Sequence, residues 1–157
     1  MENKWHKEAR KKVIKYLKKE GFEVRTSHEG TGELPLYYQT VSRPTMTSDV
    51  DIIALKDNQV HYIIEIQNKT RPKDIIGIIG AINISTIYSD KITHYPLKDI
   101  ILYIVTKPPK RGSTQKDKFN MIKKAFKLSN GCLKDFIIST VSPNEAITNW
   151  ELQHNDD

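Results

Sequence analysis

Ser48-Asp49-Val50-Asp51-Ile52-Ile53-Ala54-Leu55 is followed, after a short turn, by Tyr62-Ile63-Ile64-Glu65-Ile66-Gln67. Both runs are apolar and β-branched enough to lie inside a sheet covered on its two faces. Each nevertheless carries a carboxylate in its interior. An ionised carboxylate taken out of water costs several kcal/mol or more unless a cation or hydrogen bonds compensate it. Two such groups on neighbouring strands are most simply explained by a bound metal.

The turn between the strands decides whether the carboxylates meet. A three-residue turn at Asp57-Asn58-Gln59 sets Lys56 opposite Val60. The same register sets Asp51 opposite Glu65, with Cβ atoms ~5 Å apart on one face. Gln67, two residues on, shares that face. A two-residue turn shifts the register by one and sends the carboxylates to opposite faces, unless a bulge restores it. Facing carboxylates repel, and one is expected to rise in pKa if no cation lies between them. Hard oxygen ligands suit Mg²⁺, with Mn²⁺ able to substitute. Such an ion polarises a phosphoryl oxygen and lowers the pKa of a bound water, the requirements of phosphodiester hydrolysis. The plainer alternative is a salt bridge at a sheet edge with Lys or Arg.

Outward from this hairpin, Trp5, Ala9, Val13, Tyr16 and Leu17 recur at helical steps and predict an amphipathic helix over about residues 3–20. Gly21 caps it, and Phe22-Glu23-Val24 starts a short strand. Residues 27–48, with two glycines and two prolines among polar side chains, read as a long loop. Residues 49–55 and 60–67 are the strands already quoted. Pro72 opens a helix over roughly 73–89, in which Gly77 and Gly80 are expected to allow close approach to the sheet. Asp99 to Thr106 is a third apolar strand, stopped by Pro108 and Pro109. Residues 115–129 predict another amphipathic helix, Phe136 to Val141 a last strand, and Ser142-Pro143-Asn144-Glu145 a capped helix start. Helices alternating with buried strands make a single α/β domain over residues 1–157.

Asp51 followed fourteen residues later by Glu65-Ile66-Gln67 resembles the signature of the PD-(D/E)XK nucleases. Asp51-Ile52-Ile53-Ala54-Leu55 with its Glu-bearing partner strand looks most like archaeal Holliday-junction resolvases and restriction-endonuclease-like proteins. The resemblance covers about residues 5–105. It implies a restriction-endonuclease-like core, a central mixed sheet flanked by helices, and a Mg²⁺-dependent DNA endonuclease. Asp51 and Glu65 would then hold the metal, and Glu8 on the first helix is a candidate third ligand. Asp49 is a further acidic candidate, more simply placed just outside the site at the strand's start. Gln67 departs from the family, which usually has Lys there. A glutamine can hydrogen-bond a water, but it neither takes its proton nor supplies positive charge. Some active members of the family carry Gln or Glu at this position. The rival expectation is a module of the same fold that has lost catalysis and binds DNA or protein.

The chain has 25 Lys and Arg against 19 Asp and Glu, a net charge of +6. A basic balance favours a polyanionic partner without proving one. Eight basic residues between Lys107 and Lys127, among them Lys107, Lys110 and Arg111, face one acid, Asp117. With Lys69, Arg71 and Lys73 near the carboxylates, they are the expected phosphate contacts on DNA. Arg25, His28, Tyr37, Tyr38 and Arg43 offer rings and charge around the long loop. A nuclease that cuts two strands is expected to act as a homodimer. Cys132, the single cysteine, excludes an intrachain disulfide and a multi-cysteine zinc site. The charged N-terminal stretch has no apolar signal core and no segment reaches the ~20 apolar residues of a membrane helix, so a cytoplasmic protein without a membrane partner is expected.

Overall fold

The computed structural model describes residues 4–27, 33–39, 43–68, 70–107 and 115–140. Its first element is helix α1 (Lys4–Lys19), which ends where Gly21 takes a φ of +91°, a conformation that favours glycine. Five strands form a mixed sheet: β1 (Glu23–Thr26), β4 (Ile52–Lys56), β5 (Gln59–Gln67), β8 (Ile100–Thr106) and β9 (Leu133–Ser139). They lie side by side in that order. β1, β4 and β5 run antiparallel, whereas β8 and β9 continue parallel to β5. Parallel neighbours need crossover connections. Helix α2 (Pro72–Asn83) joins β5 to β8 through two further strands, and helix α3 (Gln115–Ala125) joins β8 to β9.

Alternation along the strands divides the core in two. Ile52, Ile64, Ile66 and Tyr103 pack with Ala9, Val13 and Leu17 of α1 on one face. Ile53, Ile63, Leu102 and Ile104 pack with Ile75, Ile79 and Ile82 of α2 and Ile122 of α3 on the other. Every residue of β8 is buried, as a central strand covered on both faces requires. The chain is therefore α/β, with a mixed sheet between helices.

A second, antiparallel sheet is where the sequence reading fails. Its strands are β2 (Pro35–Gln39), β3 (Pro44–Asp49), β6 (Ile87–Ser89) and β7 (His94–Pro96), ordered β3-β2-β6-β7. The expected loop over residues 27–48 thus contains a strand pair. The helix expected to run to residue 89 stops at Asn83, whose carbonyl accepts from Cys132 N and whose side chain is drawn to Ser129 and Leu133. These strands are short and mostly half exposed, so they lack the apolar runs that mark β4, β5 and β8. Asp49 closes β3 in this small sheet and does not begin β4. α3 also ends four residues before the expected boundary at residue 129, with Phe126 to Ser129 outside it. A methyl group on Gly77 or Gly80 would meet nothing within 4 Å, so these glycines do not serve close packing on the sheet.

Arg25, at the edge of the large sheet, joins the two sheets. Its guanidinium donates to the hydroxyls of Tyr88 (3.3 Å) and Tyr95 (3.1 Å) and to Asp90. It also lies 5.7 and 5.2 Å from the centres of those two stacked rings. This residue, expected to face a ligand, is committed to holding the β6–β7 hairpin.

Candidate active site

Asp57 and Asn58 both have positive φ (54° and 61°), the signature of a two-residue type I′ turn. Lys56 accordingly pairs with Gln59, not with Val60 as a three-residue turn would require. A bulge between Ala54 and Leu55 then moves the register by one, so Ala54 faces Tyr62 and Ile52 faces Ile64. His61 is the extra residue on β5. Extending the corrected register sets Asp51 opposite Glu65. The turn differs from the simplest expectation, and the bulge restores the meeting of the carboxylates.

Asp51 lies at the point where the chain leaves the small sheet and enters β4. Its main-chain N–H donates to Glu65 Oε1 at 2.9 Å, and Ile66 N–H donates to Asp51 Oδ2 at 2.8 Å. Each carboxylate therefore satisfies a main-chain donor that the diverging strands would otherwise leave unpaired. Burial, reinforced by the charges of Asp51 and Asp49, pushes the Glu65 carboxyl well above its ordinary range, against the hydrogen bond from Asp51 N–H, which lowers it. Asp49 acts only at a distance, since its Oδ1 accepts from Leu34 N–H at 2.9 Å.

From α1, His6 reaches this pair, its Nε2 standing 3.7 Å from Asp51 Oδ2. Both side chains are largely buried, 12 % and 17 % exposed. Glu8, the candidate third ligand, lies on the exposed face of α1 and is not gathered with Asp51 and Glu65. The reason is helical geometry: Glu8 is two residues from His6, about 200° around the helix. Among the described residues no three His, Cys, Asp or Glu side chains are grouped to hold a metal ion. Among the described residues the two carboxylates brought together here are Asp51 and Glu65, with His6 beside Asp51. That fits the habit of Mg²⁺, which takes one or two carboxylates and fills its octahedron with water and substrate oxygens.

Gln67 is the half-buried last residue of β5, opposite Thr106 at the matching end of β8. It shares the face of Glu65 by strand alternation. Arg71 spends its guanidinium on Asp74 (2.8 Å), within the first turn of α2. Lys73 and Lys107 are exposed. Lys69, Lys110 and Arg111 lie outside the described residues, as do His28 and the helix start expected at residues 142–145. Lys123 is paired with Asp135 and the Phe136 carbonyl, so part of the expected basic run serves the fold. No known family model, curated protein or solved structure matches the chain.

Proposed function

We propose that this chain is a metal-dependent endodeoxyribonuclease of the PD-(D/E)XK type, with Mg²⁺, or Mn²⁺ in its place, held by Asp51 and Glu65. The observation that supports it most is the mutual placement of two carboxylates, one just before β4 and one on β5, the second driven up in pKa by burial and by the first. A site that binds a proton against its neighbour's charge is a site where a divalent cation relieves the same strain.

When bound there, the ion supplies polarisation of a phosphoryl oxygen and acidification of a water. The chain's own residues do the rest. Asp51 and Glu65 are fixed in orientation by the main-chain donors they accept, so little reorganisation is needed as ligands bind. His6 holds Asp51 from the helix side. Gln67 orients the attacking water through its side-chain amide for in-line displacement, leaving a 5′-phosphate as the resemblance implies. DNA is the substrate, and a homodimer would supply the second cut on a duplex.

A second reading has its own support: Gln67 brings neither base nor charge, and both carboxylates already have main-chain partners. On that reading the domain binds DNA without cutting it. Labelled duplex, four-way junction and single-stranded DNA incubated with Mg²⁺, Mn²⁺ or EDTA separate the two. Metal-dependent cutting that disappears in Asp51→Ala and Glu65→Ala supports the nuclease. Binding to DNA with no cutting on any substrate favours the inactive module.

A further inference from the structure

Seven lysines of α1 are exposed, and the face they form carries no exposed apolar residue. Between α1 and β1 lies a groove of about 350 Å³, lined by Arg10, Lys11, Ile14, Lys15 and Lys18 from the helix and by Val24 and Thr26 from the strand. Among the described residues no carboxylate lines it, and Arg10 is buried. The groove has a direction. Thr26 pairs with Ile52, and Ser27 N–H donates to the Asp51 carbonyl at 3.2 Å. One end of the groove therefore abuts Asp51, and His6, one turn before Arg10, marks the same end from the helix.

We infer that this groove seats a nucleic-acid backbone and leads it to the end of the sheet at which Asp51 stands. Lys11, Lys15 and Lys18 fall on one helical stripe spanning ~10 Å, while phosphates recur about every 3.4 Å of axis along one strand. The three lysines therefore cover a span of about three nucleotide steps. An anionic membrane is a poorer match, because an interfacial helix needs an outward apolar face, and Ala9, Val13 and Leu17 are buried against the sheet. The groove thus places phosphate contacts on α1, which the sequence reading did not single out for DNA. Delivery of a phosphate to the carboxylates rests on the nuclease reading. Affinity of the groove for the backbone does not.

The test is fluorescence anisotropy of labelled single-stranded and duplex DNA in EDTA over a salt series. It compares the wild type, the triple variant Lys11→Gln/Lys15→Gln/Lys18→Gln, and a control triple Lys91→Gln/Lys98→Gln/Lys134→Gln. The groove triple should weaken binding tenfold or more and reduce the slope of log K against log salt by about 2 to 3. The control should stay near wild type. All six lysines are exposed, and a thermal melt of each triple checks that it folds. Loss of affinity in the control but not in the groove triple overturns the inference. So does a wild type that ignores both DNAs, including one that binds phosphatidylserine vesicles instead. A wild type that binds through the groove but never cuts removes the nuclease reading and leaves the groove standing.

Discussion

Asp51 and Glu65 are joined through the main chain although their charges repel: the N–H of Asp51 donates to Glu65 Oε1 at 2.9 Å. A Glu65→Gln side chain keeps that acceptor and removes the charge that burial and Asp51 oppose. Because the folded carboxyl sits well above its ordinary value of 4.5, the folded state holds its proton longer than the unfolded state. Stability without metal should therefore fall as pH rises from that value through the folded pKa. Urea melts in EDTA should show this fall in the wild type and a flatter profile in Glu65→Gln. Added Mn²⁺ should restore the wild type at neutral pH and leave the variant unchanged. A wild-type profile no steeper than the variant's would refute the assignment of the strain to Glu65.

The turn that sets the register can be tested by itself. Asn58 has a φ of 61°, which glycine adopts without steric cost. Asn58→Gly should be neutral or stabilising by a few tenths of a kcal/mol, whereas Asn58→Val should lose ~1–2 kcal/mol. Denaturant midpoints for the two variants should move apart in that order.

Glycines elsewhere separate by what surrounds them. Gly77→Ala and Gly80→Ala meet open space inside α2 and should each stabilise by ~0.5–1 kcal/mol. Gly131→Ala should instead cost ~2 kcal/mol or more. Its methyl would enter the space of the Asn83 carbonyl and side chain, which hold the end of α2 to the loop before β9. Equal shifts for all three, read by calorimetry, would contradict this packing.

Gln67 should matter to turnover and not to metal affinity. Losing one hydrogen bond that orients the attacking water is worth ~1–3 kcal/mol, so Gln67→Ala should cut kcat roughly 10- to 100-fold. Single-turnover cleavage with Mn²⁺ binding measured alongside checks both halves. Loss of metal binding in this variant would make Gln67 a part of the metal site.

Strands β4, β5 and β8 were legible because they are buried on both faces and their composition says so. The meeting of Asp51 and Glu65 was legible only through the alternative of a bulge, since a turn length cannot be read from Asp57-Asn58-Gln59 alone. β2, β3, β6 and β7 left no periodic signal, being short and half exposed. His6 could have been found: with Arg10, Val13 and Leu17 it continues the buried stripe of α1, where a titratable group needs a partner. Glu8 drew attention by its charge, although two residues along a helix place it on another face.

The most direct measurement of the central claim, that Asp51 and Glu65 form a divalent-metal centre, is calorimetric titration of Mn²⁺ into the wild type, Asp51→Asn and Glu65→Gln. The account predicts binding in the wild type that both substitutions abolish while the fold is kept. Binding that survives both substitutions, or none in the wild type, would contradict it.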